Sequence, residues 1–119
     1  MSLLIVDDHA PFRSYMRRVL EAKGFEVVGD ASDGESAVRE VERLEPDAVL
    51  LDVALGPGID GFEVARRLGR LAHPPKIVMI SSRDATAYET DVASTPVLGF
   101  LSKQGFTVDA LAALLADSA

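Results

Sequence analysis

The chain has no cysteine, only two histidines, and no apolar run approaching the about 20 residues that a membrane span requires. Without cysteine there is neither a disulfide framework nor a thiolate zinc site, which fits a reducing compartment, so a cytoplasmic location is expected. Met1 to Val6 is too short for a signal peptide. An excess of positive charge is missing too. The 12 basic residues are outnumbered by 19 acidic ones, and a formal charge of −7 argues against direct binding of nucleic acid, which needs a basic patch. The basic groups that do occur, Arg13, Arg17 and Arg18 and then Arg66, Arg67 and Arg70, read as solvated helix faces. No repeat, low-complexity tract or interdomain linker divides the sequence. A single domain over residues 1–119 is expected, either standing alone or excised from a longer protein. That length and a 48% apolar content suffice for a core without staples.

What is present is organised around Asp47-Ala48-Val49-Leu50-Leu51-Asp52, an apolar run between Pro46 and a Gly/Pro-rich loop. Such a run reads as a strand buried on both faces, as a central parallel strand covered by helices should be. It delivers Asp52 at its end, and in open α/β sheets ligand chemistry gathers just beyond the carboxyl ends of the strands. Leu3 to Val6 forms a second buried strand, ending in Asp7-Asp8, and Pro11 then suits the first turn of a helix with Phe12, Met16, Val19 and Leu20 repeating at helical spacing, which Gly24 stops. Glu26 to Ala31 is a weaker strand, expected near the sheet edge. Ser32 and Glu35 have capping-box spacing before a helix striped by Ala37, Val38, Val41 and Leu44. After the Gly56-Pro57-Gly58 loop, Asp60 and Glu63 form a second such pair. They open a helix with Phe62, Ala65, Leu68 and Leu71 or Ala72 inward, broken by Pro74-Pro75. Lys76 to Ile80 is the fourth strand, ending in Ser81-Ser82. Asp84 to about Val92 is the poorest helix of the set. Val97 to Leu101 is the fifth strand, ending at Ser102-Lys103, and Thr107 caps a last helix with Val108, Leu111, Ala112 and Leu115 inward.

Five strands alternating with five helices call for parallel βαβ units and a doubly wound α/β sheet in the order 2-1-3-4-5. One rim of that sheet then holds the carboxylates of Asp7, Asp8 and Asp52, the hydroxyl of Ser81 and the ammonium of Lys103. Two unit charges about 4 Å apart repel by about 4 kcal/mol even at an effective dielectric of about 20. Either one carboxyl keeps its proton or a cation sits among them. Mg²⁺ suits such oxygen donors, and an aspartate flanked by a metal, a lysine and a hydroxyl is equipped to carry a phosphoryl group.

These residues resemble the receiver domain of bacterial two-component response regulators, and the likeness covers essentially the whole chain. Its carriers are Asp7-Asp8 ending the first strand, Asp52 ending the third, Asp60-Gly61 opening the next helix, Ser81 after the fourth strand, and Phe100 three residues before Lys103. The resemblance implies a flavodoxin-like fold and a phosphorylation-activated signalling switch, charged by a histidine kinase or phosphotransfer protein. It implies Asp52 as phosphoacceptor, Mg²⁺ held by Asp8, Asp52 and the backbone carbonyl of Ala54 with Asp7 acting through a water, and Lys103 on the phosphoryl group. Ser81 and Phe100 become the switch pair. The face from Asp84 to Leu101 together with the final helix is expected to meet a second copy or an output domain. Asp7-Asp8-His9 and the Val27 to Ala31 strand are most similar to members carrying helix-turn-helix outputs.

Two departures accompany the resemblance. Eight residues separate Asp52 from Asp60 where the family usually has seven, so the Gly56-Pro57-Gly58 loop is one longer. Gln104 replaces the proline that usually follows the lysine in a cis bond, and a trans bond is expected instead, since a non-proline cis bond costs about 2.5–4 kcal/mol. His9 reads as a helix-entry position lining the site. The alternative function, a receiver-like interaction module that does not switch, fits poorly with retention of Asp7, Asp8, Asp52 and Lys103 together. An enzyme is not expected beyond self-phosphorylation and dephosphorylation: a phosphatase using Asp52 as nucleophile would need a general acid at position 54, which is alanine. A flavin site fails because residues 7–11 lack the glycines and hydroxyls that cradle phosphate.

Overall fold

A computed structural model describes residues 1–82 and 95–116. Its five strands, β1 (Ser2–Val6), β2 (Glu26–Ala31), β3 (Ala48–Asp52), β4 (Lys76–Ser81) and β5 (Gly99–Ser102), form one sheet in the order β2-β1-β3-β4-β5, parallel throughout. This is the expected doubly wound topology, with β2 at an edge. Among the described residues there are four helices: α1 (Ala10–Ala22), α2 (Gly34–Leu44), α3 (Gly61–Gly69) and α4 (Val108–Ala116). The helix expected from Asp84 to about Val92 lies outside the described residues.

Strand alternation builds two cores. Leu4, Val6, Val49, Leu51, Ile77 and Met79 face α2 and α3, where they meet Ala37, Val41, Phe62, Ala65 and Leu68. Leu3, Ile5, Ala48, Leu50, Val78 and Ile80 face α1 and α4, against Met16, Leu20, Leu111 and Leu115. The central strands are therefore apolar at every position, and β3 is buried along its whole length, Asp52 included. At the edge, the register of β1 with β2 slips between Leu3↔Val27 and Leu4↔Gly29. That extra residue lets Val27 enter one core and Ala31 the other, although even spacing along a regular strand would put both on one face.

Local chemistry moves several boundaries. The α2 cap is Asp33, not Ser32: its carboxylate accepts from the Ser36 N–H at 2.8 Å, so the Ser32–Glu35 box does not form. The helix starts at Gly34, where a Cβ would collide with Ile59 and Val64. Asp60 caps α3 as expected, through the Glu63 N–H at 2.9 Å, but the Glu63 carboxylate binds Arg66 and Arg67 instead of returning to the cap. That helix stops at Gly69, well before Pro74-Pro75, because Arg70 and Leu71 close it by bonding back to Arg67 and Leu68. Leu71 still packs on the core and Ala72 is exposed. In α4, Ala112 is exposed and Leu114 packs inward in its place, over Gly99. Gly24, at φ 92°, ends α1 as anticipated.

One glycine binds the fold to the rim. Gly61 donates to the Val53 carbonyl at 2.8 Å, and a Cβ there would run into the Asp52 carbonyl and come within 2.9 Å of Val53 Cα. Gly61→Ala should cost about 1–3 kcal/mol in urea denaturation, since the backbone must shift to admit the methyl. Gly105→Ala, with nothing within 4 Å, should stay within about 0.5 kcal/mol of the wild type.

Candidate functional site

Because Val6 pairs with Leu51, the next residues on each chain, Asp7 and Asp52, leave adjacent strands side by side. Both are almost fully buried, at 1% and 3% exposure, whereas Asp8 turns out to solvent. Carboxylate oxygens of Asp7, Asp8 and Asp52 lie within 4.8 Å of one another. Lys103, one residue past β5, reaches back over the rim. Its Nζ lies 2.8 Å from Asp7 Oδ2 and 3.3 Å from Asp52 Oδ2, and its backbone N–H donates to the Ser81 carbonyl at 2.8 Å. Ser81, at the end of β4, is buried beside this group. Phe100 is half-buried on β5, against the core under α2 and α3. Four strand ends thus bring Asp7, Asp8, Asp52, Ser81 and Lys103 to one rim, as expected.

Backbone groups hold the acids in place. The His9 N–H donates to Asp7 Oδ1 at 2.8 Å, and the Ala54 N–H to Asp52 Oδ1 at 3.3 Å. His9 is the α1 cap position, and its side chain makes no capping bond. Arg13 departs from the solvated-face reading. Its Nη1 donates to the Asp7 carbonyl at 2.6 Å and its Nε lies 3.7 Å from Asp30. Arg17 likewise reaches the Val27 carbonyl, at 3.2 Å. Phe12, which its helical spacing places in the core, also touches the site: Lys103 Nζ sits 4.4 Å from the centre of the Phe12 ring. Phe12 follows Asp8 by four residues, one turn into a helix that starts at the rim, which is the only sequence signal for it.

The Gly56 turn runs beside Asp8, where a Cβ would stand 3.6 Å from Asp8 Oδ2, so the lengthened loop borders the acids. All peptide bonds of the described residues are trans, including Lys103–Gln104. Gln104 does what a ring constraint would otherwise do. Its backbone N–H donates to Ser102 Oγ at 3.2 Å, its Oε1 accepts from that hydroxyl at 2.8 Å, and its amide donates to the Ser82 carbonyl at 3.2 Å. A cavity of about 580 Å³ opens at the other end of the strands, where β1, β3 and β4 begin, lined by Val41, Pro46, Leu71 and Pro74 among others, and none of the predicted site residues borders it.

The electrostatics are those of a site short of positive charge. Burial, then the neighbouring charge of Asp7, pushes the Asp52 carboxyl up to about 6, while Lys103 pulls it back. Burial works against the Lys103 ammonium, but Asp7 and Asp52 outweigh it and hold its pKa above the ordinary value. One ammonium offsets only one of the three carboxylates, and the remaining two match a divalent cation. The fit is supported at an individual atom: buried Asp7 Oδ2 has the Lys103 charge beside it but, among the described residues, no aligned hydrogen-bond donor. Hard oxygen donors of this kind suit Mg²⁺.

Comparison with known proteins gives a consistent result. A family profile described as the response regulator receiver domain matches residues 3–116. The chain is 38% identical over 105 residues to the transcriptional regulatory protein DegU of Brevibacillus brevis, covering 87% of this chain and 44% of that protein. It is 38% identical over 104 residues to the response regulator UvrY of Escherichia coli strain K12, covering 87% of this chain and 47% of the relative. The chain therefore spans about half the length of these relatives. Among solved structures, a LuxR-family two-component response regulator from Aurantimonas sp. SI85-9A1 superposes with a TM-score of 0.87 at 28% identity, over 98% of this chain and 85% of that one. The signal receiver domain of a diguanylate cyclase from Desulfovibrio desulfuricans G20 gives 0.85 at 30% identity, over 97% and 90%.

A carboxyl whose folded pKa is raised binds its proton more tightly in the native state, so stability falls as pH rises from the unfolded value, near 3.8, through about 6. In metal-free buffer Asp52→Asn should therefore be the more stable protein above about pH 7, by on the order of 1–3 kcal/mol. The gap should narrow as pH drops below 6 toward 4, as measured by denaturant titration across that window. A gap that ignores pH would mean the Asp52 charge is not its cause.

Proposed function

The chain belongs to the response regulator receiver domain family, and from that premise we propose that it is a phosphorylation-activated switch with Asp52 as its phosphoacceptor. The observation that carries this reading is the Asp7–Lys103–Asp52 arrangement: a buried carboxylate with its Oδ1 held by a backbone N–H and an ammonium on its other oxygen. In the transfer, one Asp52 carboxylate oxygen attacks the phosphorus of a phosphohistidine. The new O–P bond forms as the N–P bond breaks, and the imidazole leaves with the bonding pair. The donor's histidine kinase and an output domain are the partners that membership of the family implies.

Asp8, Asp52 and the backbone carbonyl of Ala54 would hold Mg²⁺, with Asp7 acting through an intervening water. When bound, the ion supplies positive charge against the phosphoryl oxygens. Lys103 supplies the rest: its ammonium, already next to Asp52 Oδ2, meets the transferred group on arrival. Ser81 donates its hydroxyl to a phosphoryl oxygen, and Phe100 responds by turning inward, carrying the change toward the face that runs to Leu101 and the final helix. Of the partner face expected from Asp84 to Leu101, residues 84–94 lie outside the described residues, while Leu98 within it is exposed. Retaining two buried carboxylates at this cost has no use in a module that only docks.

Incubation with acetyl phosphate and Mg²⁺ should add one hydroxylamine-labile phosphoryl mass to the wild type and none to Asp52→Asn. Normal labelling of that variant would remove Asp52 from the role. Mg²⁺ should raise the melting temperature, since a ligand of the native state alone stabilises it by mass action, and Asp8→Ala should abolish the rise. With beryllofluoride, hydrogen exchange should change between Ser81 and Phe100, and Ser81→Ala should blunt the change. An effect confined to residues 53–59 would place the switch elsewhere.

A further inference from the structure

We propose that Phe12 is a positioning residue for phosphoryl transfer, its ring face holding the Lys103 ammonium over Asp52. The inference rests on the reading of Asp52 as phosphoacceptor. An ammonium has three hydrogens to place. Here Asp7 and Asp52 take one side of the charge, at 2.8 and 3.3 Å, and the ring of Phe12 takes another, with its centre 4.4 Å from Nζ. That distance lies well inside the range of about 6 Å over which the negative face of an aromatic ring attracts a cation. The lysine side chain is only 20% exposed, so water screens the contact less than it would at the surface.

The ring itself is fixed. Phe12 stands in the first turn of α1, half-buried against the core that α1 and α4 cover, and the Tyr15 ring lies 6.5 Å away at 41°. A leucine would keep an apolar side chain against that core, so burial of apolar surface alone does not require an aromatic residue there. What the ring adds is an attraction with little directionality. When a phosphoryl group arrives on Asp52, the ammonium has to turn from Asp7 toward new oxygens. A carboxylate or carbonyl partner would resist that turn, because its hydrogen bond weakens steeply with angle. The ring stays attractive through it, and keeps the charge from swinging into solvent. Phe12 touches neither the phosphoryl group nor the metal donors in this scheme. It acts through Lys103.

The test compares the wild type with Phe12→Leu and with a protein carrying pentafluorophenylalanine at position 12, which keeps the ring but inverts the charge on its face. Initial rates of phosphoryl uptake from acetyl phosphate with Mg²⁺ should fall about five- to thirty-fold in both, the factor that a desolvated cation–ring contact is worth. In proton NMR, the ε-methylene signals of Lys103 should lie upfield in the wild type, shielded by the ring, and return to the ordinary lysine position in Phe12→Leu. If pentafluorophenylalanine leaves the rate unchanged, the ring only packs and the proposal falls, and that variant decides the matter even if Phe12→Leu folds poorly. Unshifted Lys103 signals in the wild type would overturn it as well. A wild type that takes up no phosphoryl group would instead refute the reading of Asp52, so the two failures are distinct.

Discussion

Two carboxylates, Asp7 and Asp52, are held out of water at the ends of neighbouring parallel strands, and most of the rim is arranged around the repulsion between them. Parallel register leaves no choice: once Val6 lies opposite Leu51, the next side chains must share the same space. Water cannot screen them there, so neutralisation must come from the protein or from an ion. Lys103 comes from the far side of the sheet to provide part of it, and the Ala54 and His9 N–H groups provide a little more. The remainder is what the proposed Mg²⁺ would supply. The resting charge of the described site is incompletely balanced by the protein itself.

The surrounding structure keeps these groups from relaxing. Relief would come if the strand ends drew apart, and the backbone around Asp52 is held against that. Gly61 packs its backbone directly on the Asp52 carbonyl, while Val53 bonds back to Ile80 at 3.1 Å. Arg13 ties the Asp7 carbonyl toward β2, so the loop bearing the acidic pair is fastened from the side opposite Lys103. On the lysine side, the Gln104 amide links the end of β5 to Ser82. This chain thereby fixes the turn after its lysine with side-chain hydrogen bonds and a trans peptide.

The sequence by itself determined a large part of this protein. Unbroken apolar runs at Leu3–Val6, Val49–Leu51 and Ile77–Ile80 could only be strands covered on both faces, and their alternation with helices left one economical topology. Asp7, Asp8, Asp52, Ser81 and Lys103 were legible as a group because each follows such a run, and strand ends in a parallel sheet converge on one rim. Helix stops at Gly24 and the cap at Asp60 were equally local, set by glycine's tolerance of positive φ and by a short carboxylate within reach of an unpaired N–H.

Tertiary structure alone decided the rest, because the deciding partners are distant in sequence. At the start of α2, Gly34 passes so close to Ile59 and Val64 that a side chain would collide with them. The bulge in β2 serves two cores that sequence alternation cannot foresee. By sequence Arg13 reads as a solvated residue and Phe12 as a plain core residue, because nothing in a helical period reveals what lies beyond the end of the sheet. Periodicity specifies which face of an element is apolar. It carries no information about which charge, arriving from 91 residues away in the case of Lys103 above Phe12 (103 − 12), will come to rest on that face.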